Sequence, residues 1–181
     1  TNIRFTLIND GKEVLKTGGS GNLLKTINDI YGVKTAKKML EVKCENDDYE
    51  VSGYISLPEI TKSNRNHIIT MVNGRVVRNS ELNRVINDAY FKYKFENRYP
   101  VVVLQIKVDP TLTDVNIHPS KMDIKFSNFE DLKDMIFNAI KDTLNNHFLA
   151  PTIDITNIKV DNVVEKIEVK EYTLDFSDND N

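Results

Sequence analysis

Apolar residues recur along this chain at two periods, and the switches between them predict its elements. Ile3, Phe5 and Leu7 alternate with polar neighbours, Asn9-Asp10-Gly11 supplies a tight turn, and residues 13–17 return as a second strand. TGGSGN then opens a helix whose Leu23, Leu24, Ile27, Ile30 and Tyr31 share one face, with Gly32 as its stop. A short helical piece over 34–40 precedes three strands, at 41–45, 49–57 and 67–73, the first two joined by Asn46-Asp47-Asp48. The polar connection PEITKSNRN before the third is expected at the surface.

Asn73-Gly74 breaks the third strand ahead of Arg75 to Arg78, and the period then changes to that of a helix. Ser80 is its expected cap, Glu81 suits its first turn, and Leu82, Val85, Ile86, Ala89, Tyr90 and Tyr93 form its buried stripe. VVVLQIKV (101–108) is an apolar, β-branched strand, and MDIKF (122–126) alternates again. The last helix has Asn128 as its expected cap, Glu130 and Asp131 at its positive end, and a stripe of Leu132, Met135, Ile136, Ala139, Ile140 and Leu144. Hairpins with interspersed helices predict an α+β fold of two layers, one mixed sheet with helices on one face, and the strand-helix-strand passage 67–108 is its crossover unit.

Composition adds limits. With 181 residues and 40% hydrophobic content, the chain holds enough apolar material for one ordinary core plus an appendage. No apolar run approaches the ~18 residues of a membrane span, so no membrane partner is expected, and cytosolic residence is the simplest inference. The single cysteine, Cys44, excludes an internal disulfide; three isolated histidines, His67, His118 and His147, lack ligand spacing, so no metal site is expected. The chain enters directly on an apolar strand pattern, which reads as a piece of a longer polypeptide.

Charge is uneven. Residues 148–181 hold three lysines against eight acids, net −5, which leaves +2 for the rest. Residues 60–80 carry Lys62, Arg65, Arg75 and Arg78 and no acid, which fits either contact with an anionic surface or a solvated strand edge. From residue 149 the pattern loosens into an acidic tail, expected as the start of an interdomain linker, while 1–148 form the body.

The chemistry concentrates in DVNIHPSKMDIKF (114–126). Two strands are joined there by a loop stiffened at Pro119 and carrying Ser120 and Lys121. Lys121 is either ordinary solvated charge or aimed at an anion; Asp123, two residues on, is placed to orient it. At about 4 Å from a phosphate oxygen an ammonium gains on the order of 4 kcal/mol at an effective dielectric near 20, against ~1 in water, so it matters only in a closed site. His118 has no evident acid or nucleophile beside it, which favours a structural role over that of a base. The glycines of TGGSGN lack the Lys-Ser/Thr pair of a phosphate loop and read as a flexible joint. No complete catalytic set is visible.

VNGRVVRN (72–79), a helix, and then DVNIHPSK about forty residues later resemble the second N-terminal, or transducer, domain of the MutL family of DNA mismatch repair proteins. GSGNLL, AKKML and GYISLPEITKSNRN resemble it too, so the likeness covers residues 2 to about 147. It implies the fold named after the second domain of ribosomal protein five of the small subunit, with a left-handed crossover.

It also implies that Lys121 reaches the γ-phosphate of ATP held, with Mg, by an adjacent N-terminal ATPase domain, positioned by Asn116, His118, Pro119 and Ser120. Non-specific or mismatch-containing DNA is then bound through Arg75, Arg78 and Arg84, with Lys62 and Arg65 as secondary carriers; Ser80 stands where some relatives have a further arginine. The implied whole is a homodimer that works with a MutS-type mismatch recognition protein in the bacterial cytoplasm, close to the nucleoid. The nucleotide-binding motifs of the ATPase are not in this sequence, so this chain alone is not expected to hydrolyse ATP, and no cofactor is expected on it. The other readings are a nucleic-acid-binding module in which Lys121 is one more phosphate contact, the corresponding domain of a type II topoisomerase, whose QTK-like motif HPSK does not match, and a structural spacer.

Overall fold

The computed structural model describes residues 1–114 and 125–149. β1 (Arg4–Asn9) and β2 (Lys12–Gly18) form a hairpin of their own. Asp10 and Gly11 both take positive φ, 47° and 73°, as a two-residue turn matched to strand twist requires. α1 (Leu23–Tyr31) starts at Asn22, whose side chain accepts from the Lys25 N–H, and stops at Gly32.

α2 is shorter than expected, Val33–Ala36, because Met39 and Leu40 are drawn into β3 (Met39–Glu45), where they pair with Ser56 and Ile55 of β4 (Tyr49–Ser56). Sheet pairing overrides their helical propensity. A two-stranded piece follows, β5 (Thr61–Lys62) with β8 (Tyr99–Pro100), and a 3-10 turn over Arg65–His67.

The main sheet runs in the order β3-β4-β9-β6-β7, with β6 (Ile68–Val72), β7 (Arg75–Val77) and β9 (Val102–Val108). All neighbours are antiparallel except β6 and β9, which are parallel and enclose α3 (Ser80–Ala89) between them in sequence, as the crossover unit requires. β4 and β9 approach so closely that a Cβ on Gly53 would lie 2.1 Å from the Val103 carbonyl oxygen, so only glycine fits there.

One face of the sheet presents Val51, Ile55, Val72, Val102, Leu104 and Ile106 to α3 and α4 (Phe129–Leu149), the two long helices. Leu132, Ile136, Ile140 and Leu144 recur every fourth residue of α4 and are fully buried; on α3 Leu82, Ile86, Ala89 and Tyr90 are buried. Lys133 bridges the helices, with Nζ 3.0 Å from Glu81 of α3 and 2.7 Å from Glu130. Hydrogen bonds to those two carboxylates raise its pKa, Glu130 first. A smaller cluster, Ile27 of α1 with Met39, Val101 and Val103, lies on the alternate positions of the same strands. Ile30, expected on the buried face of α1, is exposed.

The N-cap of α3 differs from expectation. Asn79, not Ser80, caps α3, its Oδ1 accepting from the Glu81 and Leu82 N–H groups at 3.0 Å. Asn128 stands before α4 at φ 51°, its carbonyl accepts from the Leu132 N–H at 3.3 Å, and its Nδ2 donates to Asp48 Oδ2, eighty residues away, at 2.7 Å.

Candidate nucleic-acid interface and the stems of the HPSK segment

Asn73 and Gly74 make the β6–β7 turn, with φ 46° and 82°, conformations that favour Asn and Gly. The Asn73 amide also acts as an extra peptide unit of the sheet. Its Nδ2 donates to the Val108 carbonyl at 2.9 Å, and its Oδ1 accepts from the Val108 N–H at 3.1 Å. The first two residues of the NGR element are therefore structural, and they hold Arg75 at the start of β7, exposed.

The basic residues separate into two groups. Arg65 from the 3-10 turn and Arg78 beyond β7 line a groove of about 430 Å³ with Ser80 and Asn83. A second groove of about 440 Å³ shares Arg65, Ser80 and Asn83 and adds Arg84, Asn87 and Tyr99. Arg78 and Arg84 thus line two grooves that share Arg65, Ser80 and Asn83. Arg75 and Lys62 line neither groove. Arg84 is tied at 3.6 Å to Asp88, a pair exposed enough to be exchanged for another anion at little cost.

His67 sits beside this region, its Nδ1 3.3 Å from the Tyr31 hydroxyl and its ring edge-on to the Tyr31 ring. Burial, and then the nearby Lys62 charge, push its pKa below the usual imidazole value.

Asn116, His118, Pro119, Ser120, Lys121 and Asp123 lie outside the described residues. Both ends of their segment are described. β10 (Thr113–Asp114) pairs antiparallel with β11 (Lys125–Phe126), Thr113 opposite Phe126 and Asp114 opposite Lys125. The incoming stem is tightened by a 3-10 turn, Pro110–Leu112, capped by Asp109, whose Oδ1 accepts from the Thr111 N–H and hydroxyl at 2.8 and 2.7 Å. Those two donors, the hydroxyl first, hold the Asp109 carboxyl below its usual pKa. Asp-Pro ahead of a turn is a cap signal that the sequence carries openly, although no role was expected of it.

The outgoing stem is anchored by packing. Phe126 is buried, stacked on Phe129 at 5.1 Å and edge-on to Tyr49, whose hydroxyl donates to the Ser127 carbonyl. The Ser127 N–H donates to the Leu112 carbonyl at 2.8 Å, closing the two stems on each other.

Residues 27–145 match the family model described as DNA mismatch repair protein, C-terminal domain. The chain belongs to the MutL family of DNA mismatch repair proteins. It is 46% identical over 149 residues to the DNA mismatch repair protein MutL of Streptococcus agalactiae, covering 82% of this chain and 23% of that protein. The MutL of Streptococcus mutans is 47% identical over the same length. The chain thus spans about a quarter of the length of these curated MutL relatives. Among solved structures, the N-terminal domain of a DNA repair protein superposes with a TM-score of 0.68 at 25% identity, over 82% of this chain and 50% of the other. The mixed sheet with α3 and α4 on one face agrees with the α+β fold expected of the family. Among the described residues no helix is long and apolar enough to cross a membrane.

Proposed function

We propose that residues 1–148 are the transducer domain of a MutL-type mismatch repair ATPase and that 149–181 begin an interdomain linker. In this reading Lys121 is donated to the ATP site of an adjacent domain, where its ammonium offsets charge developing on the γ-phosphoryl oxygens. Asn116, His118, Pro119 and Ser120 position it. The observation that supports this reading is the closed pair of stems: two rungs of β-ladder, a capped turn and a buried Phe126 hold both ends of 115–124 on the main body. A rigid base is what a positioned charge needs.

A second support comes from the hairpin. Ile3, Phe5, Leu7, Ile8 and Val14 are all exposed large apolar residues on β1 and β2 or just before them, and the hairpin lies outside the matched family segment. In this reading the neighbouring ATPase domain covers them. ATP supplies the transferable phosphoryl group, and its Mg belongs to that domain; among the described residues no three His, Cys, Asp or Glu side chains are grouped to hold a metal ion.

The two arginine-lined grooves support DNA contact through phosphates, with Arg65, Arg78 and Arg84 as one binding line and Arg75 and Lys62 at its margins. Homodimerisation and a MutS-type partner complete the reading. The test is Lys121→Ala in the intact protein. Turnover of ATP should fall at least tenfold with DNA affinity within twofold of the parent. If DNA binding falls instead and turnover persists, Lys121 is a phosphate contact and the domain is a nucleic-acid-binding module.

A further inference from the structure

The second groove is not built like a simple phosphate site. Ser80, Asn83 and Asn87 stand three and four residues apart, so they form one polar ridge along α3, flanking its buried Ile86. Arg65, Arg84 and Tyr99 line the same groove. Glu81 also lines the groove, which disfavours a bare anion. Among the described residues the Asn87 side-chain Oδ1 is buried with no hydrogen-bond partner. Turning that amide into the groove therefore breaks no hydrogen bond at Oδ1 and allows one to form. Tyr99 carries Lys94 Nζ 5.9 Å from its ring centroid and sits on the β8 rung opposite Lys62.

Arginines for phosphate, an aromatic ring for stacking and amides for a base edge occur together in a space of about 440 Å³, within the ~300–1,000 Å³ range of small-ligand pockets. We infer that this groove binds one unpaired nucleotide of a DNA strand, its base on Tyr99 and against the Asn87 and Asn83 amides, its flanking phosphates on Arg65 and Arg84. A base inside an intact duplex is stacked and paired and does not reach such a pocket; a base in a single strand or a bulge does. The inference rests on the DNA-contact reading above and names which DNA that surface prefers.

The test compares three labelled twenty-nucleotide probes of mixed sequence on the full 181-residue chain, a single strand, a perfect duplex and a duplex with one extra unpaired nucleotide, read by fluorescence anisotropy across a salt series. Asn87→Ala and Tyr99→Ala should each weaken the single strand and the bulged duplex at least fivefold and leave the perfect duplex within twofold. Their slopes against log salt should be unchanged, because neither group is charged. Tyr99→Phe should bind all three probes like the parent, and Asn87→Ala should melt like the parent, which separates a lost contact from a lost fold. Arg84→Gln should weaken all three probes and reduce the slope. Equal losses on all probes, or none, with the parent binding duplex normally, overturn the nucleotide pocket alone. A parent chain that binds none of the probes overturns the DNA-contact reading as well.

Discussion

The β1–β2 hairpin and the β4–β9 pair both carry apolar strand sequence, yet they end in opposite environments. Leu104 and Ile106 of β9 are 0% and 1% exposed, whereas Phe5 and Leu7 of β1 are 53% and 45% exposed. Alternation predicts the strand in β1 and a β-branched apolar run predicts it in β9, and both strands are there. What differs is cover: α3 and α4 lie over β9, and no described helix or strand lies over the apolar positions of β1. In the proposed reading, the exposed apolar positions of the hairpin are the surface that the neighbouring domain covers.

The comparison breaks if removal of these side chains costs the same in both places. Leu104→Ala should destabilise this chain by about 2–5 kcal/mol, because it opens a cavity in a packed core. Phe5→Ala should change it by only about 0.5 kcal/mol. Urea denaturation followed by circular dichroism measures both. In a longer protein with the neighbouring domain attached, Phe5→Ala should rise toward the core value; a cost that stays near zero there would remove the hairpin's assigned role.

A smaller effect sharpens the account of the NGR element. Asn73→Ala loses two hydrogen bonds to the Val108 peptide and places a β-carbon without a capping amide at positive φ, and it should cost about 1–3 kcal/mol by the same measurement. Arg75→Ala, next but one in the same motif, should leave stability within about 0.5 kcal/mol. Smaller again is the cap of α3. Asn79→Ala should cost about 1 kcal/mol and Ser80→Ala a few tenths, the reverse of what the sequence suggests.

The smallest effect is in pH. Because His67 has a lowered pKa in the folded chain, the unfolded chain binds its proton first, so the fold loses stability as pH falls through the ordinary imidazole value near 6.5 and is unaffected well above it. Lys62→Met removes the repelling charge and should move the His67 titration, followed by its ring proton resonances, back upward. A midpoint at or above the ordinary value in the parent would contradict the placement.

Elements were legible in the sequence where the signal is local. The Asp10-Gly11 turn, the α4 stripe and the apolar β9 run depend on residues a few positions apart, and each is found. Misreadings fall where the deciding partner is distant: Met39 and Leu40 join β3 because β4 offers them a ladder. The arginines were legible as a charge excess, but not that Arg65, Arg78 and Arg84 line two grooves with shared walls while Arg75 lines neither, since that needs α3 and the 3-10 turn to meet. Asn87 gave no signal at all. An asparagine on the polar side of a helix is unremarked until Oδ1 is found buried without a partner among the described residues.

The central claim concerns Lys121 and is tested most directly in the intact protein bound to a non-hydrolysable ATP analogue with magnesium. A crystal structure of that complex should place the Lys121 Nζ within about 4 Å of a γ-phosphate oxygen, the range in which a desolvated ammonium is worth several kcal/mol. An Nζ that stays in solvent, more than about 8 Å from the terminal phosphate and beyond a physiological screening length, would contradict the account.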